Sequence, residues 1–218
     1  MKNRFIYIIF AIMLVLLVYP FLRPAGMIGH FFSTLLVAMI PLSSGLALSR
    51  DKKTATIILV IATPFVILDG LNFFSPHRLL MIAAFSFATG LYFYIVILLT
   101  KCVLAIRVVT VDLIYCSISI YLLIGMGWAG VYTILESILP GSFSGTPESG
   151  DLLYFSFVTL TTVGYGDVLP LSVLGKRLAI VEGAMGSIYM AVIVAMIVGR
   201  YMAMHSDQDS KSETNSQK

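Results

Sequence analysis

The sequence predicts an all-α membrane protein with six transmembrane helices and one short re-entrant helix. Three observations support this fold class. Hydrophobic residues make up 59% of the 218 residues and charged residues only 11%, far below the share of about a quarter in soluble domains. Six apolar stretches approach the ~20 residues that a helix needs to cross a bilayer. Between the last two stretches lies a loop with a further apolar segment that is too short to cross.

The six stretches follow one another along the chain, and short links rich in proline, glycine or charge separate the first four. They run roughly over residues 5–22, 31–48, 54–71, 79–100, 113–136 and 174–202. The first stretch has the basic end and apolar core of a signal peptide. Its core is long, however, and no small-residue cleavage site follows it, so we expect an uncleaved first span.

The distribution of Lys and Arg predicts the orientation, because short cytoplasmic loops are enriched in them. With both chain ends inside, ten of the 14 Lys and Arg residues fall on the cytoplasmic side and four outside. We therefore expect a multi-pass protein with both termini cytoplasmic, in a bacterial plasma (inner) membrane. The net charge of +3 leaves no basic stripe for nucleic acid. The two cysteines have no metal-ligand spacing, and we expect no cofactor.

The loop between the fifth and sixth stretches contains the candidate site. Residues 151–160 can form about three helical turns, and Asp151 suits the positive start of such a helix. A glycine-containing segment, residues 161–167, follows it. Irregular backbone at membrane depth is tolerated only where protein buries it or it lines water. Gly164 and Gly166 adopt positive φ freely, so that successive carbonyls can face one axis and replace the water around an ion.

Residues 161–167 read Thr-Thr-Val-Gly-Tyr-Gly-Asp, and after an aromatic-rich short helix this sequence resembles the signature of tetrameric potassium channels. The resemblance covers residues 113–202 and points to the bacterial six-helix type with one pore loop and a selectivity filter. It implies that potassium ions are bound, mainly by backbone carbonyls, at Thr162, Val163, Gly164 and Tyr165. The filter would be supported by Thr161, Gly166, Asp167, Tyr154 and Glu182.

One pore loop per chain requires four chains around one axis, so we expect a homotetramer in the lipid bilayer. We expect three parts: a four-helix membrane domain over 1–111, a pore domain over 112–204 and a disordered cytoplasmic tail over 205–218. The first domain resembles a voltage sensor in position, but it lacks an arginine ladder, so we expect passive potassium conduction with weak or no voltage dependence. The alternative is a non-conducting or regulatory subunit that joins other pore chains. An enzyme is not expected, because no span combines a nucleophile with a base.

Two aromatic residues stand where the family usually has paired tryptophans in the pore helix. We expect Tyr154 to reach Asp167 with its hydroxyl, whereas Phe155 cannot support the hydroxyl of Tyr165. Glu182, an ionisable residue in a membrane helix, is expected to contact the pore helix or the filter from behind. A water-exposed carboxylate is the alternative interpretation.

Two glycines in the sixth stretch, Gly183 and Gly186, leave two interpretations open, since glycine in a membrane helix permits either a bend or close packing. The position of Gly186, 22 residues after Gly164, resembles that of the family's gating hinge. His30 and His77 fall in outward links, where we expect solvated side chains.

Overall fold

The structure, a computed structural model, describes residues 4–22, 26–48, 52–106, 108–145 and 147–216. Seven helices lie within these residues, and the only strand-like feature in them is an isolated bridge between Phe143 and Pro170. In chain order the helices are α1 (Ile6–Leu22), α2 (Gly26–Ala47), α3 (Lys52–Phe74), α4 (Arg78–Ala105), α5 (Val111–Ile138), α6 (Ser149–Leu160) and α7 (Val173–Ser216). The all-α prediction is therefore confirmed for the described residues.

Five of these helices, α2, α3, α4, α5 and α7, are long and apolar enough to cross a membrane. Helix α1 is apolar but has 17 residues, the lower end of the range for membrane spans, so a sixth span stays a prediction. Helix α6 has 12 residues and rises only about 18 Å. It is too short to cross the hydrocarbon core.

The first four helices pack against their neighbours in sequence, and α4 lies along α5. Helix α5 also contacts α1, α6 and α7, which explains why it is the most enclosed of the candidate spans. Small residues permit this packing: a Cβ at Gly127 would meet the ring of Phe93, and one at Gly130 would meet the hydroxyl of Thr89. Close approach at small residues is the usual basis of helix association in membranes.

The start of α4 is attached to the end of α5 through one arginine. The Arg78 guanidinium donates to the carbonyl of Ser137 and, at 2.5 Å, to that of Ile138. The last carbonyls of a helix lack intrahelical partners and carry partial negative charge, so a cation there is favourable. The contact fixes the four-helix part of the chain to the C-terminal end of α5.

The last helix differs from the sequence prediction. Instead of the disordered tail predicted over 205–218, α7 continues as a helix as far as Ser216, and residues 217–218 lie outside the described residues. No proline interrupts residues 205–216, and adding residues to an existing helix avoids the cost of nucleation. These residues therefore extend the helix that the apolar segment before them begins.

The prediction for His30 was wrong. Its side chain is 14% exposed, and Nε2 lies 3.3 Å from the Oδ2 of Asp69 and 3.2 Å from the Asp69 carbonyl oxygen. The ring also stacks on Phe73 with centroids 4.7 Å apart. A residue that the sequence places in a link is thus folded into α2, where it packs against α3.

Candidate functional site

Helix α6 is positioned by its first turn and by the helix behind it. The Glu148 N–H donates to the Asp151 carboxylate at 2.9 Å, which satisfies one of the free donors at the helix start. Midway along α6, the Ser156 hydroxyl donates to the Gly125 carbonyl of α5 at 2.8 Å. A Cβ at Gly125 would lie 2.8 Å from the Phe157 ring. The absence of a side chain there lets α6 pack closely against α5.

The segment after α6 leaves the helix through local hydrogen bonds. Thr162 N donates to the carbonyl of Thr159 at 3.0 Å, and Val163 N donates to that of Val158 at 3.0 Å. The Thr161 hydroxyl donates to the Phe157 carbonyl at 2.6 Å. These bonds hold the beginning of the glycine-containing segment against the last turn of α6.

Positive φ angles recur at every second residue of this segment. They are 61° at Thr162, 60° at Gly164 and 80° at Gly166, whereas Val163 and Tyr165 keep negative φ. Such alternation turns successive carbonyls toward the same side, the arrangement that replaces the hydration shell of an ion. The predicted positive φ of Gly164 and Gly166 is confirmed.

The positive φ of Thr162 was missed. A β-branched residue in this region is an outlier, and it costs on the order of 1–3 kcal/mol. The signal was the spacing: if Gly164 and Gly166 alternate with their neighbours, the residue two positions earlier continues the series. Because a threonine rather than a glycine stands there, residue type alone did not indicate it.

The C-terminal end of the segment is held by Tyr154. Its hydroxyl donates to the Oδ2 of Asp167 at 2.8 Å, the contact expected from the sequence, and its ring stacks on that of Tyr165 with centroids 6.4 Å apart. The bond holds the pKa of the Asp167 carboxyl below its ordinary value, and the same bond raises the pKa of Tyr154 to about 12.

Phe155 faces a different set of partners. Its ring centroid lies 5.0 Å from that of Tyr132 and 5.2 Å from that of Phe143, both edge-on. Edge-on aromatic pairs contribute beyond their buried area. Phe155 therefore anchors α6 in an aromatic cluster with α5 and the loop between α5 and α6.

Glu182 on α7 is fully buried and bridges two helices. One carboxyl oxygen accepts the Tyr132 hydroxyl of α5 at 2.5 Å, and the other accepts the Ser156 hydroxyl of α6 at 2.6 Å. The structure thus has the contact with the short helix that the sequence predicts, and the water-exposed alternative does not apply. Tyr132 and Ser156 were not identified beforehand, because no pattern in the sequence links hydroxyls 26 and 50 positions away from Glu182.

The last carbonyl of α6 is enclosed by two further residues. The Tyr121 hydroxyl of α5 donates to the Leu160 oxygen at 3.0 Å. A Cβ at Gly186 of α7 would lie 2.5 Å from that same oxygen, whereas one at Gly183 would lie 3.9 Å from the Thr159 oxygen. Both glycines lie in an uninterrupted helix. The contact at Gly186 gives that glycine a packing role, and the gating hinge stays a prediction.

The side chains of the glycine-containing segment are exposed in the single chain. Tyr165 is 72% exposed and Val163 52% exposed. Helix α7 is similarly uncovered, with 11% of its membrane window buried against 78% for α5. An apolar helix and two large side chains at the site are therefore largely exposed within one copy of the described chain.

Comparison with known proteins places the site within a family. Residues 109–203 match the family described as Ion channel. Over 98 residues the chain is 37% identical to Protein LctB of Bacillus caldotenax, a match that covers 41% of this chain and 72% of that protein. No solved structure matches.

Two further relatives are matched over only about a fifth of their own length. The inward rectifier potassium channel Kirbac3.1 of Paramagnetospirillum magnetotacticum is 32% identical over 68 residues, which is 31% of this chain and 21% of that protein. The voltage-gated potassium channel regulatory subunit KCNF1 of Homo sapiens is 29% identical over 96 residues, 44% of this chain and 18% of that protein.

Proposed function

Because the chain belongs to the ion channel family that residues 109–203 match, we propose that it is a potassium-selective channel subunit. The observation that carries the proposal is the alternation of positive φ at Thr162, Gly164 and Gly166. It supplies a row of carbonyls that can replace water around a cation. Thr162, Val163, Gly164 and Tyr165 would form the potassium sites, with Thr161, Gly166 and Asp167 holding the row in place.

In this proposal, four copies of the chain around one axis form the pore. A single row of carbonyls cannot surround an ion, and rotational symmetry supplies the remaining rows. The exposure of Tyr165 and Val163 in one copy supports the assembly, since neighbouring copies would cover these side chains. The exposed apolar surface of α7 supports it as well, since α7 would line the pore on one side and contact neighbours on another.

The membrane arrangement in this proposal has α1 as the sixth span and α6 as the re-entrant pore helix. Both termini then lie in the cytoplasm, and the α6–α7 link with Asp167 faces outward. A bacterial plasma membrane suits the chain. Tyr154 and Glu182 support the filter from opposite sides, through Asp167 and through Ser156 respectively.

Reversal potentials of the reconstituted protein test the proposal. In liposomes with opposing potassium and sodium gradients, we expect currents to reverse near the potassium equilibrium potential, ~59 mV for a tenfold gradient. Gly164→Ala should abolish the current, because alanine is strained at φ 60°. Gly141→Ala, at φ 84° in the outer loop with nothing within 4 Å of the added Cβ, is the matched control and should conduct. A reversal potential that did not depend on the potassium gradient would contradict the assignment.

Voltage dependence is expected to be weak. The 28 residues of α4 carry only Arg78 and Lys101 as charges, and Arg78 is bound to the end of α5. Moving one charge through 100 mV supplies only about 2.3 kcal/mol, so a helix without a ladder of charges responds little. Voltage steps over about −100 to +100 mV should leave the open probability nearly constant, and steep activation would contradict this part of the proposal.

A second candidate function is a regulatory subunit that joins other pore chains. The similarity to KCNF1, whose name describes a regulatory subunit, favours it. The liposome experiment separates the two, because a regulatory subunit reconstituted alone carries no potassium current.

A further inference from the structure

The two cysteines of the chain meet between neighbouring helices. Cys102 lies on α4 and Cys116 on α5, and a hydrogen bond joins their thiol groups. Cys102 is half-buried, Cys116 is buried, and both are free thiols. The Cys116 thiol also donates to the Leu99 carbonyl of α4 at 3.7 Å. Two sulfur atoms that are 14 positions apart in the sequence are therefore neighbours in the fold.

The thiol pair lies near one end of both helices. Helix α4 ends at Ala105, three residues after Cys102, and α5 begins at Val111, five residues before Cys116. At a rise of about 1.5 Å per residue, the thiols are about 5 to 8 Å from the helix ends. Each helix has 28 residues and thus extends beyond a hydrocarbon core of ~30 Å. Cys102 therefore lies close enough to the membrane surface for a small water-soluble reagent.

The residue that follows each cysteine binds α7 through its carbonyl group. Arg200 of α7 donates to the Val103 carbonyl at 3.1 Å. The Tyr189 hydroxyl of α7 donates to the Ser117 carbonyl at 2.7 Å. A covalent bond between the cysteines would therefore restrain both carbonyl groups that hold this part of α7.

We propose that Cys102 and Cys116 are a reversible redox pair, whose disulfide fixes α4 to α5 and restrains α7 at its two points of attachment. The accessible Cys102 reacts first, and the buried Cys116 is the resolving thiol beside it. Disulfides of cytoplasmic proteins are usually transient and redox-sensing. A reversible bond suits this pair, because the proposed topology places it at the cytoplasmic side of the membrane.

The oxidant in this proposal is a small disulfide from the cytoplasm. The Cys102 sulfur loses its proton and attacks one sulfur of the oxidant, so that a mixed disulfide forms and one thiolate leaves. The Cys116 sulfur then loses its proton and attacks the Cys102 sulfur, and the second thiolate leaves. The two thiolates take up the two protons. The protein thiols are thereby oxidised by two electrons, and the oxidant is reduced to two thiols.

The first test follows the thiols and does not depend on conduction. The full chain in lipid nanodiscs is reduced and then treated with bis(2-hydroxyethyl) disulfide, an uncharged probe. Intact-mass spectrometry should show the loss of two hydrogen atoms per chain, without an adduct and with no free thiol left. Dithiothreitol should restore both thiols. On a non-reducing denaturing gel the oxidised chain should run as a monomer, because the bond joins helices of one chain.

Serine variants separate the roles of the two thiols. Cys116→Ser should stop at the mixed disulfide, so that one probe-derived adduct stays on Cys102. Cys102→Ser should leave the buried Cys116 thiol unmodified. The control combines Cys102→Ser with Leu104→Cys, which moves the thiol to a 65% exposed position of the same helix. This variant should acquire an adduct but form no disulfide.

The second test measures the effect on α7. Oxidation should slow amide hydrogen exchange over residues 189–200, because both attachments are then restrained. On the basis of the proposed function, oxidation should also raise potassium flux into liposomes, since Tyr189 and Arg200 hold α7 toward α4 and α5, away from the axis that it would line. Dithiothreitol should reverse both effects. Tyr189→Phe combined with Arg200→Met should still form the disulfide but show neither effect.

Thermal unfolding of each variant identifies any that fail to fold. Thiols that survive the probe in the unaltered chain, an adduct in place of the disulfide, or a disulfide between two chains would overturn the redox pair. A disulfide that left hydrogen exchange in α7 unchanged would overturn the link to that helix, as would a flux that did not rise. A reduced protein without any potassium current would contradict the proposed function alone, because the thiol and exchange measurements would still decide this inference.

Discussion

At the scale of single residues, two buried hydroxyl groups behind the proposed filter converge on Glu182. Its carboxyl group accepts from Tyr132 and Ser156, and the single hydroxyl proton of Ser156 is shared between Glu182 and the Gly125 carbonyl. Three helices, α5, α6 and α7, are thereby joined at one point behind the short helix. Because all three side chains are buried or nearly so, losing one partner leaves another polar group without a hydrogen bond.

A double-mutant cycle on Tyr132 and Glu182 measures this connection. We expect Tyr132→Phe and Glu182→Gln each to lower the stability of the purified protein, by about 1.5–3 kcal/mol for a hydrogen bond to a carboxyl group. The double variant should lose clearly less than the sum, since both changes weaken or remove the same bond. Thermal unfolding in detergent gives the values. If the stability losses of the two single variants added up in the double variant, the two residues would not interact. The control is Tyr7→Phe, which changes an exposed side chain.

The Tyr154–Asp167 bond predicts a dependence on external pH. The bond lowers the pKa of the Asp167 carboxyl group. It therefore stabilises the filter fully at a pH above the ordinary Asp pKa of about 3.9, and this stabilisation is lost as the pH falls through the lowered pKa. Tyr154→Phe removes the bond and should shift acid inactivation of potassium flux to higher external pH. Flux into liposomes over an acidic pH series measures the shift.

Asp167→Asn is the companion variant for this prediction. It removes the titrating carboxyl group, so the potassium flux through this variant should be lower at neutral pH. The flux should not fall further at the pH where protonation of Asp167 inactivates the unaltered chain. If Tyr154→Phe and the unaltered chain lost flux at the same pH, the bond would have no part in holding the filter.

At the scale of helices, the contact between α7 and the end of α6 sets where the filter begins. Gly186 lies against the Leu160 carbonyl oxygen, and Tyr121 of α5 donates to the same oxygen. Tyr121 also stacks on Tyr189 of α7 with centroids 5.9 Å apart. The last turn of α6 is therefore held between α5 and α7, and the filter segment follows directly from it.

Alanine substitutions in α7 test this close packing. Gly186→Ala would bring a Cβ to 2.5 Å from backbone and should disturb the filter, with a loss of most potassium flux and of thermal stability. Gly199→Ala, with nothing within 4 Å of its Cβ, should conduct normally and be slightly more stable, by up to about 1 kcal/mol, because alanine is the better helix former. Normal flux in Gly186→Ala would show that the contact is not needed.

The same helices show which features of the fold can be predicted from the sequence. Apolar length predicted α2 to α5, α7 and the short α6, because these signals are local to each segment. The Glu182 contact with α6 was foreseen because a buried carboxyl group must find a partner. The partners themselves, Tyr132 and Ser156, depend on how three helices pack, and the helical course of residues 205–216 depends on continuation from α7. Neither is encoded in a local pattern.

At the scale of the whole molecule, the single chain is incomplete as a globular unit. Tyr165 and much of α7 are exposed although they are apolar. The enclosed surfaces lie on α5 instead, between the first four helices and α6. This asymmetry supports the proposed assembly, in which the filter side of each subunit faces an axis shared with other copies, since large exposed apolar surfaces mark association.

Mixing experiments give the number of copies that must carry an intact filter. We expect subunits with Gly164→Ala to assemble with unaltered ones but to block the shared pore. If four copies form the pore and all must be intact, an equal mixture should retain about one sixteenth of the flux. A dimer would retain about a quarter, and independent subunits about a half. An equal mixture with Gly141→Ala should retain full flux, which shows that strain at a positive φ outside the filter does not have this effect.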